Sequence, residues 1–591
     1  MKRWIVILAL FGLMMSCSKE SSQSKSHRVV VQVLQTSDVH GKFINHEYAI
    51  DEATTTGSLA AVATKVAELR KEYPHTILID TGDTFQDNSN ELFIPDAVNN
   101  PMLLAMNMMD YDSMTVGNHE FNFGIPYLLE LRDNLNFDVL GANVYDAQGE
   151  RLFKPYKIIE KNGVRVAIVG MVTPNITRWD ADNLRGYQVT TPLEEMNFIW
   201  NEIADEADLL IFANHMSWAD EYQYGDGYAT LLEFYPQFHL ALVAHEHSRI
   251  EREEPNGTIV LEPSSRGAYV SQALFTFEKD AEGKYQLVDK SFQLHSTKDI
   301  PDDPKIVSKT KAGHEFALAD ARRVIGRLEG GSLVPEPTIK GVSQAQLEPT
   351  AMIALINDVQ RFYTDADVSS VALFIPNSNM HVGDISKANV SNIYKYDNML
   401  RSYRMSGAQL KEYMEWSATY FNQFEEGDLT ISYNPSIRMY NYDMFGGVQY
   451  DIDISQPVGN RIKNLRWPDG RAVSPSEMLT IAVNDYRAQT TLLSDLFPDD
   501  TITQVRDLYD ELGDGSRVRD LIIRYIQEEK GGIIDNSFDR TQHNFRIIGY
   551  NWDEALRKLV IEKVNNGTIN LPTSTDGRTP NVRSLRAEDL N

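Results

Sequence analysis

Five short stretches of this chain place oxygen- or nitrogen-bearing side chains directly after an apolar run. They are Asp38-Val39-His40, Asp83 in Asp80-Thr81-Gly82-Asp83, Asn118-His119, His215 after Phe212-Ala213-Asn214, and His245-Glu246-His247. An Asn oxygen ligates hard or borderline divalent cations, and the adjacent His119 can reach a substrate oxygen that such a cation holds. The mixture of Asp, Asn and His suits Zn, Mn or a similar ion, with no thiolate taking part. On extended backbone alternate side chains point the same way, so Asp38 and His40 are expected to face one ion. Together the five stretches have the logic of a two-metal hydrolase. Asp83 would bridge two ions roughly 3.5 to 4 Å apart, and the ions would activate a water and clamp phosphoryl oxygens.

Such groups need strands that end side by side. The apolar runs 29–34, 76–79, 113–116, 164–172, 208–213 and 240–244 read as buried strands, with a helix predicted over 58–71 through Leu59, Val62, Val66 and Leu69. Strands alternating with amphipathic segments imply an α/β sheet whose functional groups gather at strand C-termini. A charged segment, 302–323, has helical spacing through Ile306, Phe316, Leu318 and Ala321 and is expected to join two domains. Beyond it, helices are predicted at 350–363 and 406–421 and strands at 448–454 and 479–483, which describes a second α/β domain.

At 591 residues the chain exceeds one hydrophobic core, and 42% hydrophobic with 10% aromatic content supports packed domains rather than disorder. A formal net charge of -28 argues against nucleic-acid polymers as partners, since their phosphates need Lys and Arg surfaces. A small phosphate ester remains compatible if metal ions supply the local positive field. Lys2 and Arg3 precede a short apolar run from Trp4 to Met15, the layout of a signal peptide and too short for a membrane span. Cys17, the only cysteine, follows that run and precedes a Ser-rich tract. This arrangement resembles a bacterial lipoprotein site. It implies a signal peptide at 1–17, a tether at 18–27, a lipid anchor on Cys17, and a protein facing the periplasm or cell surface. A single cysteine excludes intrachain disulfides.

The ordered set Asp38-x-His40, Gly82-Asp83, Gly117-Asn118-His119-Glu120, Asn214-His215 and His245-x-His247 resembles the calcineurin-like metallophosphoesterases. Within them it is similar to the two-domain branch of bacterial 5′-nucleotidases and 2′,3′-cyclic-nucleotide 2′-phosphodiesterases. Second-half strings such as Tyr440-Asn441-Tyr442-Asp443 and Asn484-Asp485-Tyr486-Arg487 extend the likeness over nearly the whole chain. The resemblance implies a four-layer αββα sandwich at 28–300, an interdomain helix at 301–323, a nucleotide-binding α/β domain of 5′-nucleotidase type at 324–550 and an extension at 551–591. It also implies that Asp38, His40, Asp83 and His247 hold one divalent ion, and that Asp83, Asn118, His215 and His245 hold the other. His119 would then act on the transition state and the leaving oxygen, while Tyr396 and Tyr486 would sandwich the base.

One departure sorts the branch. Where typical 5′-nucleotidases carry an Asp that partners the catalytic His, this chain has Asn122, which cannot favour an imidazolium as an anion would. The cyclic-nucleotide members commonly show Gly-Asn-His-Glu-Phe-Asn here, and the segments Trp179-Asp180-Ala181-Asp182-Asn183-Leu184 and Arg461-Ile462-Lys463-Asn464-Leu465 also look like theirs. Hydrolysis of 2′,3′-cyclic nucleotides and 3′-nucleotides, in nucleotide scavenging, is therefore the expected activity. The alternatives are a 5′-nucleotidase or UDP-sugar hydrolase, and a non-catalytic nucleotide-binding surface lipoprotein.

Overall fold

The computed structural model describes residues 28–590 apart from 397, 498–500, 576 and 578. The expected signal peptide and tether, with Cys17, lie outside the described residues. Among those described, no helix is long and apolar enough to cross a membrane.

The first half is built on two six-stranded sheets. One runs Tyr285–Ser296, Tyr269–Lys279, Val29–Thr36, Thr76–Asp80, Ser113–Thr115, Asp138–Leu140; the other runs Arg249–Glu253, Ile259–Pro263, Leu240–Leu242, Leu209–His215, Val164–Val172, Tyr156–Lys161. Their facing sides meet in one core, where Val31, Val33, Ile77 and Ile79 of the first sheet meet Ile168, Ile211 and Leu242 of the second. Helices cover the outer faces. Leu59–Glu72 and Pro304–Ala321 pack on the first sheet, and Pro192–Ile203 with Tyr228–Phe234 pack on the second, giving four layers in αββα order.

Local chemistry sets these elements. Ser58 caps Leu59–Glu72 by accepting from the Ala61 N–H at 3.0 Å, and the same hydroxyl donates to Asp302 at 2.6 Å. The helix start is thereby tied to the segment leading into Pro304–Ala321, whose own cap is Asp303. Inner strands of both sheets pair in parallel, Val29–Thr36 with Thr76–Asp80 and Leu209–His215 with Val164–Val172, so their C-terminal ends open on one edge.

The second half centres on a five-stranded sheet, Asp443–Gly446, Val368–Ala372, Met478–Asn484, Leu400–Ser406, Thr503–Asp507, covered by Ala351–Thr364 and Gly407–Ser417. Its core is one continuous cluster, and Val560, Val564 and Leu585 pack into it from the chain's last residues. Ion pairs join the halves. Arg401 reaches Asp182, Arg519 reaches Glu91 at 3.2 Å, and Lys395 reaches Asp87 at 3.3 Å.

Candidate active site

The loops after the parallel strands are fastened to one another before any side chain is considered. Strand Val29–Thr36 stops at Thr36, and Asp38 and His40 take φ values of 50° and 49°. This corrects the extended backbone expected for that pair. The cause is a set of backbone bonds to the next loop: the N–H groups of Asp38, His40 and Gly41 donate to the carbonyls of Gly82, Asp83 and Thr84 at 2.9, 3.0 and 2.9 Å. Left-handed backbone at two non-glycine residues costs roughly 1–3 kcal/mol each and persists only where surrounding bonds over-determine it.

Glu120 fastens a third loop. Its buried carboxyl accepts from the N–H groups of Gly117 and Thr84 at 2.7 Å, Asp83 at 2.8 Å and Phe85 at 3.2 Å. Asp80 accepts from the Gly82 N–H at 3.0 Å and from the hydroxyls of Thr84 and Thr36 at 2.8 and 2.6 Å, which orients the turn. The loops touch at two glycines. A Cβ on Gly82 would lie 2.3 Å from the Gly117 nitrogen, and one on Gly117 would lie 2.3 Å from Asp83 Oδ1.

On this frame the structure brings together two groups of potential ligands that share Asp83. The ligand atoms of Asp38, His40, Asp83 and His247 lie within 4.8 Å of one another, as do those of Asp83, His215 and His245. In the first group His40 Nε2 stands 3.0 Å from His247 Nε2, and His247 Nε2 stands 3.3 Å from Asp38 Oδ1. In the second, Asn118 Oδ1 is 3.0 Å from His215 Nε2 and 2.9 Å from His245 Nδ1, while Asp83 Oδ2 is 3.1 Å from His215 Nε2.

Outer bonds choose which nitrogen faces inward. His215 Nδ1 lies 2.7 Å from the Thr81 carbonyl, an acceptor only, so Nδ1 carries the hydrogen. His40 Nδ1 sits 3.2 Å from Gln86 Oε1 in the same sense. Burial, with His247 beside it, pulls His40 down to about 3, so the ring is neutral. Burial opposes charge on Asp38 and Asp83, yet the surrounding histidines hold both carboxyls below their usual range. At His215 burial works against the proton, but Asp83 holds its pKa up to about 10, so this ring must lose a proton on ligating.

Divalent cations fit this set. Asp38 Oδ1 is buried without a hydrogen-bond partner, and imidazole nitrogens face one another across about the span of a hydrogen bond. Such contacts need a proton or a metal cation between the facing atoms, and the Asp, Asn and His donors suit a divalent ion.

His119 is not in either ligand group; its backbone N–H donates to Asp83 Oδ1 at 2.8 Å. Its Nδ1 lies 2.7 Å from Asn122 Oδ1, and Asn122 Nδ2 in turn faces Asp180 Oδ2 at 3.4 Å. A cavity of about 330 Å³ opens beside this pair, lined from the first half by His119, Asn122, Trp179 and Asp180 and from the second by Tyr396, Arg401, Tyr440 and Tyr486. An adjoining space of about 220 Å³ connects Tyr396 and Tyr486 to Asp83, His245 and His247. The two tyrosines singled out in the sequence thus share one cleft with the ligand cluster.

Several residues here had no assigned role in the sequence. Trp179 stacks on His245 at 5.3 Å with 15° between planes, Glu221 Oε1 stands 3.9 Å from His245 Nε2, and Tyr440 adds a third ring to the cleft. The available signal was the Trp179–Asn183 string after a predicted strand, which carried a resemblance but no chemistry.

The fold and site define a class. The sequence matches the family model for calcineurin-like phosphoesterases over residues 31–249 and that for the 5′-nucleotidase C-terminal domain over residues 324–492. The chain belongs to the two-domain metallophosphoesterases formed by these parts, a family that implies divalent metal cofactors. Among relatives, the 2′,3′-cyclic-nucleotide 2′-phosphodiesterase/3′-nucleotidase of Salmonella typhimurium is 26% identical over 531 residues, covering 78% of this chain and 81% of that protein. The trifunctional nucleotide phosphoesterase protein YfkN of Bacillus subtilis is 27% identical over 540 residues, 79% of this chain; the match covers 36% of YfkN, so the chain spans about a third of that relative. A solved structure from Staphylococcus aureus superposes with a TM-score of 0.73 at 24% identity, covering 88% of this chain and 100% of that one. At that identity the likeness speaks to the fold.

Proposed function

We propose that the protein hydrolyses 2′,3′-cyclic nucleotides to 3′-nucleotides, and 3′-nucleotides to nucleoside and phosphate, with two divalent ions such as Zn or Mn. One arrangement favours this over a 5′-nucleotidase: the partner of His119 is the neutral Asn122 amide at 2.7 Å, within a cleft that also holds Tyr396 and Tyr486. The Salmonella relative, alike over most of both chains, carries that activity in its name.

Asp38, His40, Asp83 and His247 would hold one ion, and Asp83, Asn118, His215 and His245 the other. When bound, such ions lower the pKa of water towards about 7 and neutralise phosphoryl charge. Tyr396 and Tyr486 hold the base by stacking, worth about 1–3 kcal/mol per base and tolerant of base identity. His119 stands at the departing 2′- or 3′-oxygen and delivers the proton or hydrogen bond which that oxygen needs. The Asn122 carbonyl accepts from Nδ1–H, so the proton that His119 delivers is the one an imidazolium carries on Nε2.

The test is a rate comparison after metal reconstitution on 2′,3′-cyclic AMP, 3′-AMP and 5′-AMP. Faster turnover of the first two supports the proposal, and release of phosphate from 5′-AMP far ahead of both overturns it. Nucleotide binding without hydrolysis of any ester would instead favour a non-catalytic binding protein.

Export with lipid anchorage at Cys17, facing the periplasm or cell surface, fits a scavenging role for this activity. Incorporation of labelled palmitate that survives Cys17→Ser would refute the anchor.

A further inference from the structure

We propose that Asp180 is a positioning residue for His119, acting through the Asn122 side chain. An asparagine amide is ambiguous: turned one way it accepts from His119 Nδ1–H and lets the ring carry a second, transferable proton on Nε2; turned the other way it donates to a bare Nδ1 and keeps the ring neutral, a far weaker acid. What lies beyond the amide therefore decides what the histidine presents to substrate.

In this chain a carboxyl lies there. Asp180 Oδ2 stands 3.4 Å from Asn122 Nδ2, and Asp180 Oδ1 accepts from Asn183 Nδ2 at 2.9 Å. The same Asn183 amide donates to the Asn122 backbone carbonyl at 3.0 Å, closing a small ring around Asn122. Both Asp180 oxygens are met by amide donors, so the ionised carboxyl works as an acceptor on each side. The flipped amide would set its carbonyl against Asp180, oxygen to oxygen, and is disfavoured. The Asn122 carbonyl is thus held on His119 Nδ1 at 2.7 Å.

Asp180 occupies its place because Ile176–Trp179 is a single helical turn after Val164–Val172, with the Asp180 N–H donating to the Ile176 carbonyl at 2.9 Å. Burial pushes its carboxyl up to about 7, with Asn183 and Asn122 opposing that rise. A carboxyl that a direct His–Asp pair would set against the ring stands here one amide further back.

The inference rests on the proposed role of His119 at the leaving oxygen, and leaving-group dependence tests it without any nucleotide. Phenyl phosphate needs a proton on its departing oxygen far more than 4-nitrophenyl phosphate does. Asp180→Asn, which can donate to a flipped Asn122, should lose at least about tenfold more kcat on phenyl phosphate than on the nitrophenyl ester, with bound metal unchanged. The exchanged pair Asn122→Asp with Asp180→Asn places the carboxylate directly on His119 and should recover the phenyl phosphate rate. Equal losses on both esters, no loss on either, or an exchanged pair that recovers nothing would overturn the proposal. If Asp180→Asn does not fold, the exchanged pair decides alone: wild-type leaving-group dependence supports the inference, and its loss overturns it. Wild-type protein active on aryl phosphates but on no nucleotide would sink the nucleotide reading and leave this comparison standing.

Discussion

His119 and its neighbours separate two jobs that a histidine in a metal site could be given. Its ring is outside both ligand groups while its backbone N–H is bonded to Asp83, so side-chain chemistry and loop architecture use different atoms. His119→Ala is accordingly expected to keep its metal, by elemental analysis, and lose turnover by about a hundredfold or more. Unchanged metal together with unchanged kcat would remove the residue from the mechanism. Asp180 leaves a trace in stability as well. Its folded pKa of about 7 lies above the usual 3.8, so between those values the folded protein holds a proton that the unfolded chain has released. Stability therefore falls as pH climbs through that window. Asparagine cannot ionise, and the melting temperature of Asp180→Asn relative to wild type should rise by a few degrees from about pH 5 to pH 8. A difference that stays flat across that range would contradict the assignment. The candidate ligands were legible in sequence as a set because each follows its own apolar strand within a few residues. Asp180 was not, because its contact with Asn122 spans 58 positions and depends on how a one-turn helix docks.

At the scale of elements, the predicted strands and helices agree with the structure to within a few residues wherever an apolar period or a cap marks them. The segment predicted as helical over 58–71 is Leu59–Glu72 behind its Ser58 cap, and that predicted over 302–323 is Pro304–Ala321 behind Asp303. The conformation of the ligand loops was harder to read. Asp-x-His looks the same in sequence whether the backbone is extended or left-handed, and only pairing with the 82–84 loop turns it. Those loops leave little room. In Gly117→Ala the new methyl would meet Asp83 Oδ1 at 2.3 Å, the Asp83 nitrogen at 2.5 Å and His215 Cε1 at 2.8 Å. Bound metal and activity should both drop by more than about tenfold, while far-ultraviolet circular dichroism stays near that of wild type. Full metal binding in this variant would show that the loops can part.

For the whole molecule, charge sets the conditions of encounter. The formal net charge is -28, and the cleft adds Asp180, Asp182, Glu221 and Asp485 to its lining alongside Arg178, Arg401 and Arg517. A phosphate ester approaches against this field. Salt shortens the Debye length from about 30 Å at 0.01 M to about 8 Å at 0.15 M. The value of kcat/KM for an anionic nucleotide should thus rise severalfold over that range, the reverse of an electrostatically attracted substrate. A decrease would mean that bound cations and the cleft arginines dominate the approach. The two-domain layout was visible from length and the charged helix at 302–323. The pairing of Arg401 with Asp182 was not, since it exists only once two separately patterned halves have docked.

The close contact of Gly82 with Gly117 bears on redesign. Where Gly82 meets Gly117 there is no side chain to trim, so substitution at this contact can push the candidate ligand loops apart but cannot draw them closer. A tighter site for a smaller metal ion would have to come from the donor atoms themselves, an Asn for an Asp or a His for an Asn.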